Sequence, residues 1–291
     1  MSKFSGKTAI ITGGAEGIGM AIAKSLGAQK MNIVLADIDQ SKLASASTEL
    51  EQLGVPVLTV ALDVSEESQW IDVANRAKER FKNIHMLVNN AGIGGGAGAL
   101  ESQSTKDWEW SINVNLMGVL FGAKAIVPMI KEHGEGGWLV NVGSMAGMGG
   151  VPYSGAYTAT KSAVVALSES WAGELTRDGI HVAVLCPAFV QTRIHESERN
   201  RQTKYKTEKA KPDSDRAILN SAANAVKNGI DPSIVGERLV EALNQGEFYV
   251  FTHPNYRPVV QQRSKLIDEA FERSARSPLL KDIVKQKIDM L

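Results

Sequence analysis

Two short spacings in this 291-residue chain could move a proton and hold a phosphate. Tyr157-Thr158-Ala159-Thr160-Lys161 puts a phenol and an amine four residues apart, on one face of a helix. A phenol with its ordinary pKa of about 10 exchanges protons poorly at neutral pH, and an ammonium beside it favours the phenolate. Thr12-Gly13-Gly14-Ala15-Glu16-Gly17-Ile18-Gly19 offers different chemistry. Between a strand and a helix, glycines let backbone N–H groups approach a pyrophosphate, and the helix dipole adds partial positive charge. Alone, each pattern is ambiguous. A plain glycine turn or a chance pair on a solvated helix reads the same way.

Other residues fall where a hydride-transfer site with a nicotinamide cofactor would need them. Ser144 lies thirteen residues before Tyr157, just after an apolar run, where a hydroxyl can hold a carbonyl or alcohol oxygen. Asn115 interrupts an apolar helical stretch, and a buried amide there must be hydrogen-bonded. It is either a core link or the holder of a water that relays protons to Lys161. Asp37, eighteen residues after Gly19, can accept from both ribose hydroxyls of NAD and repel the 2′-phosphate of NADP. Asp39 is a rival for that role. Glu16 would add to the repulsion, with no basic residue at either spot in the sequence. NAD is therefore the expected cofactor and NADP the alternative. Asp63 is positioned to meet the adenine amine, and Asn89-Asn90-Ala91-Gly92 to let the backbone approach the cofactor; both can also be turn residues. Gly94-Gly95-Gly96-Ala97-Gly98 reads as a mobile segment at the mouth of the site.

The elements that must position these residues alternate in type. Short apolar runs at Thr8–Thr12, Asn32–Ala36, Val55–Ala61, Met86–Asn89, Trp138–Val142 and Val182–Leu185 lack period-two alternation, as strands covered on both faces should. Helical patterns fill 17–29, 40–53, 66–82, 105–132 and 155–177. This order predicts an α/β fold: one doubly wound, Rossmann-type parallel sheet with helices on both faces. The polar stretch Glu196–Asp215 reads as loop. Asp231-Pro232 caps a helix that ends near Gly246, and Phe248–Phe251 looks like a further strand. A charged helix over 257–276 and helical apolar spacing over Leu279–Met290 complete a helical C-terminal extension. The expected organisation is one domain: a core over 1–190, a substrate loop over 190–230 and the extension over 231–291.

Composition narrows the partners. Lys plus Arg equals Asp plus Glu, 32 each, so no net field draws nucleic acid or an anionic membrane. The single cysteine, Cys186, cannot form an intrachain disulfide and fits a reducing compartment. The N-terminus shows no export signal, and the polar groups in Ile112–Ile130 argue for a buried helix over a membrane span. A cytoplasmic enzyme with a small-molecule substrate is expected, with no metal.

These motifs together resemble the short-chain dehydrogenase/reductase family over residues 5 to about 195. Thr12–Gly19 matches its T-G-x-x-x-G-x-G turn, Asn89–Gly92 its N-N-A-G block, and Asn115, Ser144, Tyr157 and Lys161 its catalytic tetrad. Pro187-Ala188-Phe189-Val190-Gln191-Thr192 is similar to P-G-x-x-x-T, with alanine in place of glycine. The resemblance implies Tyr157 as general acid/base, Ser144 on the reacting oxygen, Lys161 on the nicotinamide ribose and Asn115 in the proton relay. It implies cofactor contacts from Thr12, Gly13, Gly17, Ile18, Gly19, Asp37, Asp63, Asn90, Ala91, Gly92, Tyr157, Lys161, Pro187, Val190 and Thr192. Phe189 and His195 would border the substrate, a hydrophobic secondary alcohol or ketone. The alternatives are an NADPH-dependent carbonyl reductase or a non-catalytic nucleotide sensor. Family members pair the 105–132 and 155–177 helices across a two-fold axis, which implies a homodimer or homotetramer. The C-terminal part is similar to bacterial dehydrogenases of aryl-glycerol ethers.

Overall fold

The computed structural model describes residues 2–207 and 213–288. Its centre is one seven-stranded parallel sheet in the order β3-β2-β1-β4-β5-β6-β7. The strands are β1 Thr8–Thr12, β2 Asn32–Asp37, β3 Val57–Ala61, β4 Met86–Asn89, β5 Gly137–Val142, β6 Ile180–Cys186 and β7 Tyr249–Phe251. Successive residues serve opposite faces. Ile11 of β1 and Leu35 of β2 pack against α1 (Gly17–Ala28), α2 (Gln40–Gln52) and α8 (Pro232–Gln245). Ile10 and Val34 pack on the other side with Trp70 of α3 (Gln69–Phe81), Trp110 of α4 (Thr105–Ile112) and Ile126 of α5 (Gly118–Glu132). Burial on both faces explains the unbroken apolar runs. The strand order reverses between β1 and β4, so the loops leaving their carboxyl ends diverge and open a crevice.

The 105–132 pattern is not one helix. A π-helical turn, Asn113–Met117, separates α4 from α5 and carries Asn115. By length and composition this stretch could cross a membrane, yet Val119, Ala123, Ile126 and Ile130 are buried in the fold. The next long helix is α6, Gly155–Leu175.

Two expectations fail beyond β6. The 190–230 stretch is not all loop, since α7 spans Asp213–Lys227, with Ile218, Ala222, Ala225 and Val226 in helical spacing. Leu279–Met290 is not a helix over its described part. A 3₁₀ turn, Pro278–Leu280, is followed by turns, and Asp289 and Met290 fall outside the described residues. Leu279, Ile283, Val284 and Ile288 are exposed, so the apolar spacing has no core to drive a short helix.

Contacts divide the chain into two compact units, Met1–Thr252 and His253–Leu291. Thus α8 and β7 belong to the sheet unit. The second unit holds α9, Arg257–Ala275, in which no residue is buried.

Candidate active site

The crevice is built on glycine. Gly13 has φ +59°, a conformation open to glycine, and an added Cβ would stand 2.9 Å from Ala91 Cα. At Gly19 a Cβ would lie 2.1 Å from Gly13 O, so no side chain fits there. Asn90 braces the turn: its Nδ2 donates to Thr12 O (2.8 Å) and Gly13 O (3.0 Å). Thr12 Oγ1 accepts from the Asn90 and Ala91 N–H groups, both at 3.0 Å. Both N–H donors of the Asn90 amide are therefore spent on shaping the turn. Ile18 and Gly19 open α1, whose N-cap Glu16 makes no side-chain cap bond. The first-turn N–H groups thus have no side-chain cap to displace, and the cradle fits a pyrophosphate.

The two candidate ribose acids separate cleanly. Asp39 caps α2, accepting from Lys42 N (3.1 Å) and Ser41 Oγ (2.7 Å). Asp37 ends β2 and reaches the glycine turn, accepting from Ala15 N at 3.1 Å and from Asp39 N at 3.0 Å. Burial raises its pKa, against those two hydrogen bonds. Glu16 is not the unopposed acid expected. Its carboxylate pairs with Arg199 and lies 3.6 Å from Arg193 and 3.9 Å from Lys42. Tertiary folding brought in these cations from positions 26, 177 and 183 residues away in the chain. Asp63 Oδ2 accepts from Gln202 Nε2 at 2.7 Å.

On the far side of the crevice, Ser144 and Tyr157 come together with Lys161. The Ser144 hydroxyl lies close enough to the Tyr157 phenol to favour its ionised form, and it donates to Pro187 O at 3.5 Å. Ser144 Oγ also accepts from Ala146 N at 3.1 Å. Lys161 Nζ donates to Val142 O at 2.8 Å and stands 5.8 Å from the centre of the Tyr157 ring. Burial raises the tyrosine's pKa, with Ser144 opposing, and lowers that of Lys161 to about 8. Lys161 does not offset the burial of the phenol. Desolvation disfavours the charged form of both groups. A Cβ on Gly92 would lie 3.3 Å from Asn115 Oδ1 and 3.4 Å from Lys161 Nζ, so these groups converge there.

Asn115 is fully buried, and its side chain is spent as a link. Oδ1 accepts from Ile93 N (2.8 Å), while Nδ2 donates to Ile93 O (3.0 Å) and Thr160 Oγ1 (3.3 Å). That favours the core-link reading of this amide over a water held by its side chain. It ties the loop after β4 to α6.

The segment after β6 closes the crevice. Met145 N donates to Pro187 O at 2.9 Å. Val190 is buried and bridges Ile230. Thr192 Cγ2 would lie 3.2 Å from a Cβ on Gly17. A cavity of about 390 Å³ lies here, lined by Glu16, Gly17, Gln191, Thr192, Arg193 and Lys227. A larger groove of about 790 Å³ lies between α1 and α8, and neither space is lined by Ser144, Tyr157 or Lys161. Phe189 is exposed, and His195 is half-buried with Nε2 3.6 Å from Glu196. The segment over 193–205 is fastened to the core: Arg201 pairs with Asp107, and Gly94 N donates to Ser197 Oγ at 3.1 Å. The glycine run is wedged as well, since a Cβ on Gly96 would meet Asp107 Cγ at 2.7 Å and one on Gly98 would meet Asp215 Oδ2 at 2.4 Å. Sequence reasoning also missed Cys186, whose thiol lies beside Ser144 and Lys161 and is pushed up to about 12 by burial.

Known proteins share this arrangement. Residues 7–203 match the family model described as short chain dehydrogenase. A CLA biosynthesis dehydrogenase/reductase of Lactiplantibacillus plantarum is 32% identical, over 92% of this chain and 95% of the relative. The C alpha-dehydrogenase of a Sphingobium species is 30% identical, over 92% and 87%. A short chain dehydrogenase/reductase from Burkholderia phymatum, solved in complex with NAD, superposes with a TM-score of 0.90 at 34% identity, covering all of both chains.

Proposed function

The chain belongs to the short-chain dehydrogenase family and is an oxidoreductase of alcohol and ketone groups; on that premise we propose that it moves a hydride between NAD and a hydrophobic secondary alcohol or ketone, with Tyr157 as general acid/base. The observation that supports this most is the meeting of Ser144, Tyr157 and Lys161 across the crevice from the glycine cradle. NAD, when bound, supplies the hydride acceptor and a positive charge near the phenol. Asp37 holds the adenine-side ribose, and Asp63 receives the adenine amine. In oxidation, Tyr157 Oη takes the alcohol proton while Ser144 Oγ holds the same oxygen; in reduction Tyr157 returns it. Lys161 binds the nicotinamide ribose, and Asn115 braces the loop beside it.

Large apolar side chains on the segments after β4, β5 and β6 support a hydrophobic substrate. Leu100, Val151, Tyr153 and Phe189 are all exposed there. Phe189 and His195 border that substrate in this reading. Functionally, 1–190 is the core, 190–230 the substrate segment and 231–291 the extension of one dehydrogenase. The chain works as a homodimer or homotetramer through α5 and α6, supported by the partly exposed Leu120, Phe121, Met129, Leu167 and Trp171. A single buried cysteine supports a cytoplasmic setting.

An absorbance screen for NADH formation with aryl and aliphatic secondary alcohols tests the activity. Oxidation of apolar members with NAD is the expected result. Tight NAD binding without hydride transfer to or from any alcohol or ketone sinks the reading, and a higher kcat/KM with NADP overturns the cofactor. Light scattering that gives a monomer removes the assembly.

A further inference from the structure

The Asp63 carboxylate carries two kinds of partner. Its Oδ1 is held locally, accepting from Ser65 N at 3.0 Å and Ser65 Oγ at 2.7 Å. Its Oδ2 accepts from Gln202 Nε2 at 2.7 Å, across 139 residues of chain. The grip is one-sided. Gln202 Oε1 is buried and has no hydrogen-bond partner among the described residues. A carboxamide held by one end, with its carbonyl desolvated, gains little net stability from that bond.

The backbone beside it is held firmly. Arg201 is 9% exposed, pairs with Asp107, reaches Glu198 at 3.2 Å and lies 4.5 Å from the centre of the Trp110 ring. Lys204, two residues past Gln202, pairs with Glu66. The anchor and the weakly held amide are neighbours, so the side chain can leave Asp63 while the backbone stays.

We infer that Gln202 is an adenine-specificity residue: its carboxamide N–H stands in, on Asp63 Oδ2, for the exocyclic amine of the cofactor's adenine. Cofactor binding then exchanges one N–H donor for another on the same oxygen. The released Gln202 regains hydration at its carbonyl. The exchange lowers affinity for every adenine nucleotide by the strength of the internal bond, and it needs no loop opening. This rests on the proposed role of Asp63, and the two ideas can fail separately.

The test is calorimetric binding of AMP and of IMP to the full chain. IMP carries a carbonyl where adenine has its amine, so its 6-position cannot donate to Asp63. Gln202→Ala should bind AMP roughly three- to tenfold tighter, the range expected for removing one competing hydrogen bond, with IMP affinity unchanged. Gln202→Asn, one methylene too short to reach Oδ2, should move AMP in the same direction, and a thermal melt checks that both variants fold. AMP binding that stays the same or weakens in both variants overturns the inference, as does equal tightening of IMP. Asp63→Ala separates the premise: the preference for AMP over IMP should vanish. If that preference persists, the adenine role of Asp63 fails. If it vanishes while Gln202→Ala changes nothing, only the stand-in role fails.

Discussion

The two ends of the sheet gather polar side chains of opposite character. At the amino ends of β1, β4 and β5, His85, His133 and Glu135 gather with ligand atoms within 4.8 Å of one another. Their hydrogen bonds are already made. His85 Nδ1 accepts from Thr8 N (3.1 Å) and Nε2 faces Glu135 Oε2 (3.2 Å), while His133 Nδ1 accepts from Glu135 N (3.1 Å) and Nε2 faces Ile84 O (2.8 Å). Because Thr8 N–H occupies Nδ1, the His85 proton sits on Nε2, where a metal would need a lone pair. At the carboxyl ends, burial pushes Tyr157 and Lys161 away from their charged forms. The His195 Nδ1 and Gln202 Oε1 atoms lack partners among the described residues. A satisfied cluster holds strands together. A strained one is completed by a ligand.

The largest effect expected from this contrast is at Tyr157. Tyr157→Phe should cut turnover about 10²–10⁴-fold, the usual worth of general acid–base help, with NAD affinity unchanged in a fluorescence titration. Near-normal kcat in that variant would erase the distinction between the two ends. Next is the cradle. Gly19→Ala forces a Cβ onto Gly13 O, and strain of about 1–3 kcal/mol should weaken NAD binding roughly 5- to 150-fold. Unchanged affinity would mean that the turn yields.

The pH profile sharpens the comparison further. A raised Tyr157 pKa leaves little phenolate at neutral pH. Alcohol oxidation should therefore climb as pH rises above neutral, by up to about tenfold per unit, while ketone reduction, which uses the phenol, should stay level over the same range. A flat oxidation profile between pH 7 and 9 contradicts this.

The amino end should answer through stability alone. His85→Ala leaves the Thr8 N–H unpaired and should lower the unfolding free energy by about 1–3 kcal/mol, read in urea, with kcat per folded molecule unchanged. The smallest effect is the slope with pH. Burial lowers the folded pKa of His85. As pH falls below about 6.5, the unfolded chain takes up the proton first, and stability drops by at most about 1.4 kcal/mol per unit. His85→Ala should lose that slope, and retention of the full slope assigns it to another group.

How much was legible in the sequence follows from range. The apolar runs predicted β1 and β4 at their observed bounds, because strands buried on both faces show in local composition. The tyrosine and lysine shared a helix face for the same local reason. The π turn at Asn113–Met117 carried no such signal. The Glu16 cluster with Arg193 and Arg199, and the Gln202 bond to Asp63, join parts of the chain more than a hundred residues apart. The helix α7 was missed because polar residues dominate it, although Ile218, Ala222, Ala225 and Val226 kept the period.

From its residues alone, this chain determined a doubly wound sheet, a glycine turn before α1, and a phenol and an amine one helical turn apart. Periodicity and glycine's missing Cβ are local properties, so they survive in one dimension. Tertiary structure alone decided which acid reaches the turn, which amides are spent as braces, and which way the pKa values of Tyr157 and Lys161 move. Those outcomes depend on desolvation and on partners supplied from distant segments, and both arise only when the strands align and water leaves.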